Sequence, residues 1–205
     1  MIYLARHCIT DYNEKGIVLG HTDMSLNENG LIQSVSLITA FSDIKLDKIY
    51  CSDLRRTKQT AYLINLNHSI EIIPDKRLRG YNYGTFENHK WTALTSSYWE
   101  LFDKSPNLFN AESSKDVYLR IKDFFESINF DDKDILIVTH GGALRVIIYY
   151  LENKDNFDDE LFKSKYSDIY LEHGKFITYK DGVVDYSNIK SRSKVRSLKE
   201  NKIEK

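Results

Sequence analysis

The chain predicts an α/β fold, a three-layer α/β/α sandwich around a mostly parallel central sheet. Three observations carry this. Residues 1–5 and 135–138 are short, almost wholly apolar runs, the pattern of strands buried on both faces. Residues 46–51 read as a third strand, and helical patterns follow this segment and the 135–138 run. At 205 residues the chain has room for one domain with helices on both sheet faces and a small cap.

The first strand breaks abruptly into Arg6-His7, so these side chains fall just past its carboxyl end, where open α/β sheets bind ligands. Arginine beside histidine there suits an anionic substrate, with a nucleophile or base next to its anchor; taken alone, the stretch also reads as a strand entering a solvated loop. Asn27 caps a helix over about 28–41, with Leu31, Val35 and Ile38 as its apolar face. After the strand at 46–51, Ser52 or Asp53 caps a second helix, which carries Arg55 and Arg56 in its first turn. A cation opposes the helix dipole at that end, which suits an anion site; a solvated surface pair is the competing reading. Residues 69–73 read as an edge strand ended by Pro74, and 113–128 as a helix opened by a Ser-x-x-Asp box.

The strand at 134–138 repeats the design of the first, because His140 stands at its carboxyl end before Gly141 and Gly142. The glycines admit close approach of backbone to a ligand, and a helix over 143–151 begins there with free N–H groups. Two histidines, an arginine and a helix N-terminus together suit a phosphate. Residues 169–171 and 175–179 look like strands, and the turn at Lys180-Asp181-Gly182 returns through 183–186 in a hairpin. From Ser187 to Lys205 the chain is polar and basic, the pattern of a disordered tail or a surface helix outside the 1–186 domain.

Five stretches, in order, resemble the histidine phosphatase superfamily, the phosphoglycerate mutase-like proteins. They are Arg6-His7-Cys8-Ile9-Thr10-Asp11-Tyr12-Asn13, the 20–30 segment, 52–61, Glu112-Ser113 and Thr139-His140-Gly141-Gly142. The resemblance implies that His7 attacks phosphorus and becomes a phosphohistidine. It implies that Arg6, Arg56 and His140 clamp the phosphoryl oxygens, with Asn13 and Gly141 also binding substrate. It suggests a cap over about 86–110, which holds Trp91, Tyr98, Trp99 and Phe102; ordinary core packing of these aromatics is the competing reading. No metal or other cofactor is expected, since cationic side chains supply the charge that phosphoryl transfer needs. Two departures stand out: Cys8 replaces a glycine, and Gly80 occupies the place of the family's proton-donating glutamate. Glu87, Glu112 and Asp11 are the nearest carboxylates in motif terms.

A net charge of -1 argues against nucleic acid and anionic membrane as partners, and no apolar run is long enough to span a bilayer. Two cysteines without a pairing pattern favour a reducing compartment, and with no signal peptide the expected location is cytoplasmic. Neither belongs to a Cys-x5-Arg loop, because Glu14 and Thr57 stand where arginine would be needed. His21, His68, His89 and His173 lack metal-ligand spacing. The expectation is a metal-independent phosphatase acting on a small phosphorylated metabolite. A mutase, and a degenerate member that binds a phosphorylated ligand without turnover, are its rivals. The oligomeric state is left open.

Overall fold

The computed structural model describes residues 1–130, 133–154 and 156–195. In chain order the elements are β1 (Ile2–Arg6), α1 (Asp11–Glu14), α2 (Glu28–Phe41), β2 (Lys48–Cys51), α3 (Arg55–Asn65), β3 (Ile72–Pro74), α4 (Ser96–Lys104), α5 (Ser114–Glu126), β4 (Ile135–Thr139) and α6 (Gly141–Asn153). There follow α7 (Asp159–Leu161), a π-helical turn over 162–166, β5 (Ile169–Leu171), β6 (Phe176–Lys180), β7 (Val183–Val184) and β8 (Ile189–Ser191).

Six strands form the central sheet in the order β3-β2-β4-β1-β6-β7. The first four are mutually parallel, and β6 and β7 extend the sheet antiparallel. Alternation along the strands divides the core in two. Ile2, Leu4, Tyr50, Ile135 and Ile137 face a cluster built with Val117, Ile121 and Phe124 of α5 and Leu144, Ile147 and Ile148 of α6. Tyr3, Ala5, Ile49, Cys51, Leu136 and Val138 face Leu37 and Phe41 of α2 and Ala61 and Ile64 of α3. That is the expected three-layer sandwich, and Pro74 closes β3 at the sheet edge, where no further strand needs its missing N–H.

Three local expectations change. On α2 the buried residues are Gly30, Ser34, Leu37 and Phe41, while Leu31 and Val35 are 49% and 58% exposed. The helix is rotated because Gly30 packs on the Ile9 carbonyl, where a Cβ would lie 2.2 Å from the oxygen. On α3 neither Ser52 nor Asp53 is the cap residue. Leu54 is, without a side-chain bond, and the Arg55 N–H donates instead to Asp23 Oδ1 at 2.6 Å, a cap from a distant loop. Asp53 is drawn away by Arg79, which binds both its oxygens at 2.6 Å.

The third change is at the C-terminus, where ordered structure continues past Tyr186. Strand β8 pairs antiparallel with β5. Asp168 accepts from Arg192 N–H at its backbone oxygen (2.7 Å) and from Ser193 N–H at Oδ1 (2.8 Å), and Lys190 pairs with Glu172 at 2.7 Å. Composition marks these residues as polar, but strand pairing needs only backbone. Residues 196–205 of the expected tail lie outside the described residues. Deleting 187–205 strips β5 of its partner, and Tm should fall by about 3–8 °C. A scanning-calorimetry shift of about 1 °C or less would show that β5 stands without β8.

Candidate active site

The site grows from one strand pair. β1 and β4 lie side by side with Arg6 opposite Thr139, so the next residues, His7 and His140, leave the sheet together. The His7 N–H donates to the Thr139 carbonyl at 3.0 Å, and the two imidazoles meet edge to face with centroids 5.0 Å apart.

His7 is 3% exposed, and its Nδ1 lies 2.7 Å from the Cys8 carbonyl oxygen. A carbonyl only accepts, so Nδ1 carries the proton and Nε2 keeps its lone pair. Burial, then Arg56 and Arg6, holds the His7 pKa well below the usual histidine range. The ring is therefore neutral at neutral pH.

Arg56 is 1% exposed. Its Nη1 and Nη2 donate to the Thr22 and Gly20 carbonyls, both at 2.8 Å, and its Nε to His140 Nδ1 at 3.3 Å. Burial lowers its pKa to about 10, so it stays cationic at neutral pH. Because Arg56 donates to Nδ1 of His140, the His140 proton sits on Nε2. That Nε2 is buried without a hydrogen-bond partner, and burial followed by Arg56 keeps the ring neutral. Arg6 donates from Nη1 to the Leu171 carbonyl at 2.7 Å and lies 5.2 Å from the Tyr170 ring, while its Nε is also buried and partnerless.

Two orphaned donors, each costing about 1–3 kcal/mol, are a reserve that an acceptor ligand satisfies. Arg6 and Arg56 form no ion pair among the described residues. What fits here is an anion with several acceptor oxygens.

The other predicted positions sort as follows. Arg55 is the solvated one of its pair, bridging to Asp23 at 3.3 Å. Asn13 Oδ1 accepts from the Thr10 N–H and hydroxyl, at 3.2 and 3.0 Å, which leaves its NH2 as the donor end. Gly141 opens α6 against Arg6: a Cβ would lie 3.0 Å from the guanidinium carbon. Cys8 points into the core with Leu26 and Cys51, and burial pushes its thiol up to about 11, so it neither narrows the pocket nor competes as a nucleophile.

Gly80 lies on the His140 ring, where a Cβ would come 3.1 Å from His140 Cβ. Its carbonyl accepts from His21 Nε2 at 3.0 Å and Arg120 Nη2 at 2.8 Å. Glu87 accepts from the His21, Thr22 and Tyr83 N–H groups and the Thr22 hydroxyl, and Glu112 from Arg120 and the Asn82 N–H. Both carboxylates brace loops.

Sequence reasoning passed over His173, whose ring centroid is 5.2 Å from that of His7, and Arg145 on α6. His173 carries no local signal. Arg145, near the start of a helix, carried the same against-the-dipole signal that marked Arg55 and Arg56.

Residues 2–170 match the histidine phosphatase superfamily (branch 1), and the chain belongs to that family. It is 32% identical over 158 residues to a Hydrogenobacter thermophilus protein provisionally named phosphoserine phosphatase 2, covering 73% of this chain and 77% of that one. It is 28% identical to the broad-specificity phosphatase YOR283W of Saccharomyces cerevisiae, covering 76% and 71%. The solved structure of Bacillus stearothermophilus YhfR superposes with a TM-score of 0.74 at 26% identity, covering 91% and 95%. These two curated relatives are named phosphatases, and others, among them GpmB of Erwinia tasmaniensis at 29% identity, are named phosphoglycerate mutases. No helix among the described residues is long and apolar enough to cross a membrane.

The buried neutral histidines make stability depend on pH. With folded pKa values depressed, the unfolded chain takes up more protons below about pH 6.5. The stabilising contribution is whole above that pH and is lost as pH falls toward the folded-state pKa values. Between pH 7.5 and 5 the wild-type Tm should drop, and that of a His7→Gln, His140→Gln double variant should drop less. Parallel melting profiles would refute the buried neutral pair.

Proposed function

We propose that the protein is a metal-independent phosphomonoesterase acting on a small phosphorylated metabolite through a phosphohistidine at His7. The observation that carries this is the set of proton positions around the two histidines: a lone pair on His7 Nε2 beside a partnerless N–H on His140 Nε2. The names of the relatives support the hydrolytic reading.

In the first step His7 Nε2 forms a bond to phosphorus as the ester P–O bond breaks and the electron pair leaves with the alcohol oxygen. Arg6, Arg56, His140 Nε2–H, the Asn13 amide and the N-terminus of α6 at Gly141 receive the phosphoryl oxygens. The modified imidazole is cationic, and the Cys8 carbonyl, accepting from Nδ1–H, stabilises it. In the second step water attacks phosphorus, the P–N bond breaks, and inorganic phosphate leaves with His7 restored.

We place the cap at about 86–110. Its aromatic cluster reaches the site side through Tyr83, which lies 5.5 Å from Trp91 and 6.0 Å from Tyr81, centroid to centroid. Two free buried cysteines support a cytoplasmic location.

Incubation with an aryl phosphate and acid-free quenching should trap an acid-labile, alkali-stable phosphoryl group on the wild type and none on His7→Gln, which should lose at least about 10³-fold in kcat. Activity should persist in chelator, because guanidinium groups supply the charge. Turnover surviving in His7→Gln would refute the nucleophile, and loss in chelator restored by a divalent ion would move the chemistry to a metal.

With Gly80 in the family's acid position, nothing there protonates a departing alkoxide. Such help is worth about 10²–10⁴-fold and matters little for a nitrophenolate. Aryl phosphates should therefore outrun alkyl phosphates by a wide margin. Gly80→Glu should narrow that margin, once its melting curve shows that the His140 ring has made room for the new Cβ. Equal kcat/KM for aryl and alkyl esters in the wild type would show that an acid is present elsewhere.

A further inference from the structure

Three guanidiniums gather at the start of α6, and a phosphoryl group accounts for only two of them. Arg6 packs on Gly141, and Arg145 lies beside Gly142, whose Cβ, if present, would be 3.7 Å from Arg145 Nη2 and 2.7 Å from Tyr81 Cδ2. Elsewhere three half-buried arginines are each paired with a carboxylate: Arg77 with Asp75, Arg79 with Asp53 and Arg120 with Glu112. Arg145 has no ion pair among the described residues; its only hydrogen bond is a long one, from Nη1 to the Ser167 carbonyl at 3.5 Å. Its Nε is buried without a hydrogen-bond partner.

Arg145 as a whole is half-buried, so the cost falls on the partnerless Nε, and three features raise it. Arg145 stands near the positive end of a helix. Arg6 feels its charge, which helps to lower the Arg6 pKa below its ordinary value, after burial as the main cause. Tyr81, which stacks on Tyr83, lies beside Arg145 and brings a hydroxyl where a carboxylate would pair. An unpaired cation is retained at such cost where a ligand completes it. The unpartnered edge also has a shape. With Nη1 turned to Ser167, the Nε–Nη2 edge remains, and that fork matches the two oxygens of a carboxylate.

We propose that Arg145 is a specificity-determining residue that binds a carboxylate carried by the alcohol portion of the substrate, so that the preferred substrate is a phosphorylated small carboxylic acid. The inference rests on the phosphatase reading for its catalytic consequences, but the subsite itself is a matter of binding.

A matched pair of esters isolates the carboxylate. 3-Phosphoglycerate and glycerol 3-phosphate share a primary alkoxide leaving group and differ in a carboxylate against a hydroxymethyl. The absent general acid therefore affects both alike. The wild type should favour 3-phosphoglycerate in kcat/KM. In Arg145→Met that ratio should fall about 10- to 100-fold, mostly through KM, and Arg145→Lys should recover part of it by restoring charge without the fork. Arg145→Gln replaces the Met variant if that one does not fold. A wild type indifferent to the carboxylate, or a folded Arg145 variant with an unchanged ratio, overturns the proposal. If the wild type turns over neither ester nor p-nitrophenyl phosphate, it is the phosphatase reading that fails. Calorimetric binding of the same two esters to wild type and Arg145→Met then reads the same ratio without catalysis. Equal affinities for the pair would sink the subsite as well.

Discussion

The parallel pairing of β1 with β4 is the constraint on which the rest depends. Their register sets Arg6 against Thr139 and so delivers His7 and His140 to one point above the sheet. A slip of one residue would send both strands' side chains to the wrong faces, exchanging Leu4 for Ala5 and Ile137 for Val138 between two differently shaped cores. The site is thus held by the same hydrophobic alternation that holds the fold. Loops alone would position these rings less firmly.

On that platform the electrostatics follow from a short chain of hydrogen bonds. The Cys8 carbonyl sets the His7 tautomer, and Arg56 sets that of His140 from the other side. Arg56 is in turn fixed by two carbonyls of the 20–22 loop, which Glu87 braces through the N–H groups of His21 and Thr22. A carboxylate that the motif order placed near the chemistry therefore acts one layer behind it. The result is a buried group of cationic and N–H donors held in fixed positions. Such preorganisation is what phosphoryl transfer rewards, because the reaction asks for placed charge.

Close backbone approach recurs where the site is tightest. Gly141 makes room for Arg6, Gly142 for Tyr81, and Gly80 for the ring of His140. At Gly80 the missing side chain lets the backbone lie against His140, where a Cβ would come 3.1 Å from the His140 Cβ. The aromatic segment beyond Tyr83 forms a core of its own around Phe86 and Phe102. It touches the site side by ring stacking and leaves the sheet's packing untouched.

The sequence by itself determined the fold class and the strand–histidine units, because apolar runs are local properties, and motif order nominated Arg6, His7, Arg56 and His140. It singled out the helix over 28–41 but not its buried face. That face depends on Gly30 meeting the Ile9 carbonyl, a contact between segments. The helix pattern left Arg55 and Arg56 equal and the resemblance favoured Arg56; the loop carbonyls at Gly20 and Thr22 hold Arg56 inward, while Arg55 turns to Asp23. The sequence read 187–195 as tail, since pairing with β5 uses backbone atoms that composition does not report. Tautomers, the inward turn of Cys8 and the unpaired state of Arg145 were likewise decided in three dimensions. Each depends on which partner arrives from a distant part of the chain, and one-dimensional spacing does not encode that.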